Sequence, residues 1–308
     1  MSLTDRPSTS GHFELQIDGH VSTAYLKSVD GGHVKTQVVD EPIGPENMRI
    51  KHSSIIDIEP FTIDFGIAGA GDVLKWIQAS WRKEWSRRSG QITHADFNLY
   101  PTYTHQFKEA LICETVFPAL DGASKDAAYF KIKIQPETVI TESKGSTSRI
   151  ISNIGTKQKM WTASSFRLTI DGIPEFKYVN KIDSFTIKQG VKKLYTGLDR
   201  AFQIEPTKIE FPHLSGTLAM QYCDALLKWH EDAVVKGKAD PSVQKTGSLE
   251  FLGPNKSEVL FRINLYEVGM IAVSMMASTA NADQIKRAKF ELYIGRMDLD
   301  GDGGLGIE

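Results

Sequence analysis

Three aspartates near the C-terminus have the types and spacing of metal ligands. Asp298, Asp300 and Asp302 alternate and Gly303 follows, as in the first half of a calcium-binding loop. Calcium prefers carboxylate oxygens arranged around a sharp turn. The bidentate glutamate of such a loop belongs at its twelfth position, whereas Glu308 is the eleventh residue. The aspartates remain candidate ligands in an incomplete pattern, and a polar tail is the favoured interpretation.

A glycine-rich segment could bind phosphate. Gly66–Gly71 follows a predicted strand and precedes a predicted helix, where a phosphate-binding loop would lie. The third glycine of the dinucleotide pattern is missing, because Leu74 stands in its place. The stretch that we expect to correspond to it later in the chain, His213–Thr217, lacks the pattern altogether. We therefore favour a flexible start to a helix and predict no cofactor.

The histidines and cysteines show no spacing typical of a metal or catalytic site. His94, Asp96 and His105 are compatible with an acid–base set, but their spacing does not distinguish them from surface residues. Cys113 and Cys223 fall at non-equivalent places in the repeat described below, which favours small buried residues over a shared nucleophile. We predict no catalytic residue and no enzyme.

Composition limits the class of protein. The chain has 308 residues, with 36 Lys and Arg against 38 Asp and Glu, a net charge of −2. This balance argues against a whole-chain nucleic-acid or membrane-surface binder. Two cysteines exclude a disulfide-dense secreted scaffold. The apolar run 268–280 is shorter than the roughly 20 residues of a membrane-spanning helix. We expect no membrane segment, no specific nucleic acid, and synthesis in the cytoplasm.

The elements that position these residues occur twice. Phe13–Gly19 (FELQIDG) reappears 153 residues later as Phe166–Gly172 (FRLTIDG), and the same offset pairs Trp76 with Trp229. A run of identities in one register is hard to produce by chance, so we predict an internal duplication. Two further matches, the second at a shift of 160, are Glu114 with Glu267 and Phe130–Ile134 with Phe290–Ile294.

The duplication predicts two tandem domains. Their predicted bounds are 1–142 and 166–297, with a linker over 143–165 and an acidic, Gly-rich tail over 298–308. The linker is rich in Ser, Thr, Lys and Gly and has no sustained periodicity. Its Ile150, Ile151 and Trp161 are costly to expose to water, so part of it is expected to pack on a domain.

Each repeat is predicted to be mainly β with one long helix, an α+β fold. Alternating apolar residues predict strands, and helical stripes predict helices over 72–88 and 217–236. Such a composition favours a β-sandwich or open barrel capped by the helix. The predicted core includes Phe13, Phe166, Trp76 and Trp229. The other predicted strands are 33–39, 61–65, 97–100, 106–115, 129–135, 184–191, 249–252, 259–268 and 289–294.

An apolar, uncharged segment occurs late in the second repeat. Met270–Met276 predicts a core strand. The alternative is a subunit interface at Met270, Met275 and Met276, because flexible thioether side chains adapt to a partner.

The order of these short motifs resembles the tail-tube protein family of contractile-tailed phages and contractile injection systems. The strand ending in Ile17-Asp18-Gly19 is followed by Thr62–Gly66, the helix with Trp76, Glu114–Pro118 and the closing strand Phe130–Ile134. The resemblance spans about residues 13–142 and, more loosely, 166–297. The second repeat departs from it, since Met270-Ile271 replaces the Phe-Pro pair.

The resemblance implies small β-barrel-like domains, six to a ring with a continuous inner barrel, and rings that stack. For a duplicated chain it implies a structural component that forms a ring, a trimer or a hexamer, at the baseplate or cap end of a tail or injection tube. Implied partners are tail-tube, sheath, baseplate hub or cap proteins in the assembled particle. Two alternatives remain open: a duplicated β-sandwich module that binds carbohydrate or protein, and an enzyme with a site between the repeats.

Overall fold

The computed structural model describes residues 11–22, 24–44, 48–67, 69–143, 148–151, 161–196, 201–238, 243–276 and 285–300. The first repeat contains β1 (His12–Ile17), β2 (His20–Val21), β3 (Leu26–Asp30), β4 (Val34–Ile43), β5 (Met48–Ile58), β6 (Phe61–Phe65), α1 (Gly71–Trp81), β7 (Arg88–Ala95), β8 (Pro101–Phe117), β9 (Leu120–Asp121), β10 (Phe130–Gln135) and β11 (Thr138–Glu142). The second contains β12 (Phe166–Ile170), β13 (Val179–Ile182), β14 (Phe185–Leu194), β15 (Gln203–Glu210), β16 (Leu214–Ala219), α2 (Asp224–His230), β17 (Lys245–Leu252), β18 (Val259–Met275) and β19 (Arg287–Asp300). The predicted fold class, mainly β with one helix in each repeat, is confirmed. Across the described ranges, neither helix has the length and hydropathy to cross a membrane.

The two repeats have the same strand order. The first runs β1-β7-β8-β10-β6-β3, with β2 beside β1, and the second runs β12-β17-β18-β19-β16-β13. All neighbouring strands are antiparallel. In each repeat a hairpin lies along the chain between the last two strands of this order: β4–β5 lies between β3 and β6, and β14–β15 lies between β13 and β16.

The correspondence extends to individual residues. Phe13 lies opposite His94 in the first repeat, and Phe166 lies opposite Phe251 in the second. From the pairing registers, counterparts are 153 residues apart up to the helices, 157 apart in β7 and β17, and 158 apart from β8 onward. The second repeat therefore has four extra residues after its helix and one more between β17 and β18.

This register corrects two expected matches. Glu267 corresponds to Glu109, not to Glu114, and both residues adopt the left-handed region at φ 55° and 51°. Phe290 corresponds to Ile132, not to Phe130. Ile132 lies opposite Ile63 of β6, and Phe290 lies opposite Gly216 of β16, the counterpart of Ile63. Sequence matching had placed the insertion after residue 114, whereas the structure places it before β8.

Both helices are shorter than predicted. α1 ends at Trp81, not at residue 88, because Lys83 and Trp85 have φ values of 62° and 48° that turn the chain into β7. α2 begins at Asp224, not at residue 217, and a π-helical turn over Glu231–Val235 follows it. The apolar stripe extended past each helix because it includes Trp85 after α1, which is partly buried, and Leu218 before α2, which is fully buried.

The residues before α2 form a strand that periodicity had assigned to the helix. Leu214, Gly216 and Leu218 alternate in burial and pair with β19. Leu218 satisfies both a period of two and a helical stripe, so the sequence signal was ambiguous. The predicted strand at 97–100 is instead a turn, in which the Asp96 carboxylate accepts the backbone N–H groups of Asn98 and Tyr100.

The two tryptophans occupy equivalent core positions. Trp76 is 2% exposed and Trp229 is 6% exposed. The indole N–H of Trp76 donates to the carbonyl of Ser86 at 2.8 Å, and that of Trp229 donates to the carbonyl of Val243 at 2.9 Å. Each helix is thus fixed to the segment that leads into the next strand. Phe13 and Phe166 are partly buried and pack against the margin of the same core.

One glycine is required at the same place in each repeat. Gly90 and Gly247 lie at bulges of β7 and β17, close against the backbone carbonyls of Gln16 and Thr169. A Cβ atom at either position would overlap the carbonyl of the neighbouring strand. Both repeats therefore keep the residue that permits close strand approach.

Replacement of Trp229 tests the shared core. We expect Trp229→Ala to lower the free energy of unfolding by about 3–5 kcal/mol, because a large buried aromatic and an indole hydrogen bond are lost. Leu227 lies on the same helix and is 38% exposed, so Leu227→Ala is the matched control and should lower the free energy of unfolding far less. Urea titration of both variants measures the difference, and equal midpoints would contradict this placement of Trp229.

Candidate assembly interface

The two repeats contact each other by pairing strands. β14 of the second repeat lies antiparallel to the end of β8, with Phe185 opposite Phe117 and Lys188 opposite Glu114. In return, β9 of the first repeat pairs with β13 of the second. We call this contact the internal junction. Through it the hairpin of one repeat extends the sheet of the other.

Aromatic rings fill the internal junction. Phe117 stacks on Phe185 with ring centroids 4.8 Å apart and contacts Phe251 at 5.8 Å. Phe130 stacks on Trp161 at 5.1 Å, and both rings contact Phe251. Each ring removes a large apolar area from water, so the junction has the character of a protein core.

The connecting segment contributes to this core. Trp161 is 2% exposed in the internal junction, and Ile150 is 7% exposed beside the first repeat. Ile151 is 64% exposed, although its backbone N–H donates to the Glu14 carboxylate at 2.7 Å. Part of the segment therefore packs on the repeats, and Ile151 is the one of these three residues that remains in water.

Helix α1 adds polar contacts across the internal junction. The buried Ser80 hydroxyl donates to the Gln189 side-chain oxygen at 2.6 Å. Arg82 donates two hydrogen bonds to Asp298, at 2.9 and 3.0 Å. These bonds orient the helix of the first repeat against β14 and β19 of the second.

The candidate metal ligands are placed in a strand. Asp298 and Asp300 belong to β19, so their carboxylates do not surround a turn. Asp298 pairs with Arg82, and Asp300 lies 3.6 Å from Arg262. Asp302 lies outside the described residues. Within the part of the chain that the structure describes, no group of three or more His, Cys, Asp or Glu residues could hold a metal ion.

The glycine-rich segment leads into α1, and part of it is buried in the core. Ile67 and Ala70 are buried, and no side chain caps the helix N-terminus at Gly71. Its counterpart in the second repeat is residues 219–224, which form a short 3₁₀ turn before α2. The expected counterpart at 213–217 is wrong, because those residues lie in or next to β16.

The two cysteines, Cys113 partly buried and Cys223 fully buried, are poorly suited to nucleophilic chemistry. Burial, with a smaller contribution from the charge of the adjacent Glu114, raises the pKa of Cys113 to about 12. Its thiol donates to the Lys133 carbonyl at 3.2 Å. Cys223 is 1% exposed, and burial raises its pKa as well.

Two candidate histidines come together in the first repeat. His94 stacks on Tyr103 with centroids 4.1 Å apart, and His105 lies 5.7 Å from His94. Burial lowers the pKa of His94 to about 4, and repulsion from His105 contributes. The Nε2 atom of His94 has no hydrogen-bond partner among the described residues. Asp96 does not join them, since its carboxylate holds the adjacent turn.

The second repeat has an apolar version of this cluster. Phe251 and Phe261 are the counterparts of His94 and Tyr103, and they stack in the same way at 4.0 Å. In the second repeat these rings face the first repeat across the internal junction. In the first repeat the equivalent surface has polar rings and no covering repeat within the described chain.

The hairpin of the first repeat has an open edge. Within the described residues β4 pairs only with β5, and Val34 and Val38 on it are 49% and 62% exposed. We call residues 32–35, at the start of β4, the hairpin edge. These residues are the counterparts of Phe185–Lys188, which form the internal junction.

The second repeat leaves the complementary edge open. Among the described strands, residues 269–275 of β18 pair only with β19, whereas the counterpart stretch of β8 also pairs with β14. We call residues 272–275 the β18 edge. Of the three candidate interface methionines, Met270 is 3% exposed in the core, Met275 is 44% exposed in this edge and Met276 is 51% exposed directly after it.

Comparison with known families supports this fold. Residues 9–140 match the family described as T4-like virus tail tube protein gp19, which confirms the resemblance for the first repeat. Somewhat less than half of the chain is matched. No curated protein is significantly similar to the chain.

Solved structures of injection-system components are similar to one repeat of the chain. The sheath–tube complex of an extracellular contractile injection system, PVC, in its extended state has a chain 16% identical, with a TM-score of 0.41, covering 46% of this chain and 94% of that one. The PVC sheath/tube terminator is 16% identical, with a TM-score of 0.40 and coverage of 45% and 99%. The tube terminating cap of the anti-feeding prophage is 12% identical, with a TM-score of 0.39 and coverage of 46% and 99%.

The buried His94 predicts sensitivity to acid. Its pKa is lowered in the folded state, so the unfolded chain binds a proton first as the pH falls below about 6.5. The free energy of unfolding should therefore decrease by roughly 1–3 kcal/mol between pH 6.5 and pH 4. Urea titrations across this range measure the slope.

A matched pair of variants assigns this slope. His94→Phe installs the residue of the second repeat and should reduce the acid slope, because one of two titrating groups is gone while His105, whose pKa burial also lowers, remains. His20→Phe, at an exposed histidine, should leave it unchanged. If the decrease in the free energy of unfolding between pH 6.5 and pH 4 were unchanged in His94→Phe, its assignment to His94 would be contradicted.

Proposed function

We propose that this chain is a duplicated tail-tube-like structural subunit that forms a ring at the baseplate or cap end of a phage tail or contractile injection tube. The match of residues 9–140 to the tail tube family supports the tube-like role. The internal junction carries the proposal, because in it the hairpin of one tube-like repeat completes the sheet of another.

The internal junction is a head-to-tail contact. The first repeat contributes the end of β8 and the second contributes β14, so the two repeats use different surfaces. This contact leaves two surfaces unused, the hairpin edge of the first repeat and the β18 edge of the second, one at each end of the pair of repeats. Repetition of such a contact between chains produces a closed ring when the rotation closes.

The proposal includes a domain division and a subunit number. The domains are residues 1–142 and 166–297, joined by the linker 143–165, with the acidic tail from 298. The strand β19 that ends in Asp300 makes the first residues of that tail part of the second sheet. If the ring contains six tube-like domains, as the resemblance implies, three chains form it.

The divergence of the repeats supports an end position over the bulk tube. In a ring of identical single-domain subunits every contact between neighbours is the same, whereas here His94 and Phe251 occupy equivalent positions with different chemistry. The relatives in solved structures include a sheath–tube complex, a tube terminator and a cap. We infer that the partners of this chain are tube, sheath, baseplate hub or cap proteins of an extracellular particle.

Ring formation tests the proposal directly. We expect the purified chain to elute as an oligomer with the mass of three chains in size-exclusion chromatography with light scattering. Negative-stain images should show rings with a central pore. A protein that stays monomeric at high concentration and shows no rings would contradict the proposed function.

A further inference from the structure

We propose that neighbouring chains are joined by antiparallel pairing of the hairpin edge of one chain with the β18 edge of the next, in a register that sets Val34 opposite Val273. The partner is a second copy of this chain. This inference rests on the proposed function and specifies its interface. It follows from the internal junction, which is one example of the contact within the chain.

The register comes from the counterparts of the paired residues. In the internal junction Ile187 lies opposite Thr115. The counterpart of Ile187 in the first repeat is Val34, 153 residues earlier, and the counterpart of Thr115 in the second repeat is Val273, 158 residues later. The same translation yields the flanking pairs Gly32 with Met275, His33 with Ser274 and Lys35 with Ala272.

The hairpin edge has one available partner edge of this kind in the described chain. The equivalent edge of β8 already pairs with β14 of its own chain at Glu114–Phe117. A hairpin edge from another molecule therefore cannot add to the first repeat. It must add to the second repeat, so first and second repeats alternate around the ring. This order disfavours a ring built from first repeats with the second repeats outside it.

The side chains at the two edges fit a pairing. Val34 is 49% exposed and Val273 is partly buried, so pairing would cover apolar surface on both. Met275 takes the place of Phe117, and Gly32 takes the place of Phe185. The ring of Phe61 fills the space beside Gly32, which leaves room for a flexible methionine and not for a second aromatic ring.

The same translation predicts a difference between the two kinds of junction. In the internal junction Phe117 contacts Phe251. Between chains, their counterparts are Met275 and His94, so a thioether and an imidazole replace two phenyl rings. The contact between chains is thus more polar than the internal junction, and rings should dissociate into intact chains before the repeats separate.

Opposite charges introduced at the predicted pair test the register. Val34→Lys alone and Val273→Asp alone should each raise the concentration for half-assembly about 10–100-fold, because each places an unpaired charge in a covered edge. The double variant Val34→Lys/Val273→Asp should recover rings, because the opposite charges then face each other. Val235→Asp, at a 70% exposed position outside both edges, is the control and should assemble normally.

Cysteine pairs give an independent readout of the same register. Under mild oxidation, His33→Cys/Ser274→Cys should form covalent dimers and trimers about tenfold more efficiently than His33→Cys/Met276→Cys, which is two residues out of register. Each single cysteine variant shows the background. Circular dichroism and thermal unfolding of every variant verify that the chain is folded.

The outcomes separate this inference from the proposed function. If rings form but the introduced charges have no effect and the cysteine pair does not cross-link, the register is overturned while the proposed function stands. An absence of rings in the unmodified chain would overturn the proposed function itself. Rescue by the double variant together with the in-register cross-link would support the pairing.

Discussion

An open strand edge must find a partner, and the rest of this structure depends on that constraint. Unpaired backbone N–H and C=O groups at an edge are costly to bury and prone to associate with other strands. The chain satisfies one such edge internally, because β14 covers the end of β8 and aromatic rings remove the contact from water. The counterpart edges at β4 and β18 remain open within the described residues. Covalent fusion thus fixes one contact of an assembly and leaves its equivalent to association between chains.

The repeats have kept what the fold requires and changed what their neighbours require. Trp76 and Trp229 make the same indole hydrogen bond, and Gly90 and Gly247 permit the same close strand approach. These positions depend only on contacts inside one repeat. His94 and Phe251, by contrast, occupy a surface that a neighbouring repeat can cover. The apolar ring lies where a covering repeat is present in the chain, whereas His94, which is also buried, packs against rings of its own repeat.

Much of one repeat was predictable from short-range patterns. The alternation in Phe61–Phe65 predicted β6 with its observed bounds, and the match of FELQIDG with FRLTIDG predicted equivalent first strands. Prediction failed where side chains carry little periodic signal. β5 and β15 are mostly exposed and lack clean alternation, so the hairpins were only half recognised. The helices were overextended because the apolar stripe includes the partly buried Trp85 after α1 and the buried Leu218 before α2.

The sequence by itself determined that one strand-rich unit with a single helix occurs twice, since alternation, the tryptophan stripe and the Asp-Gly turn are local features. The tertiary structure decided how the two units meet. Pairing of β14 with β8 uses backbone N–H and C=O groups, which do not depend on the side chain, so no residue type predicts it. The register of the duplication after the helix was decided in the same way, by hydrogen-bonded neighbours rather than by residue identity. The candidate interface consequently became visible only when the partner of each strand edge was known.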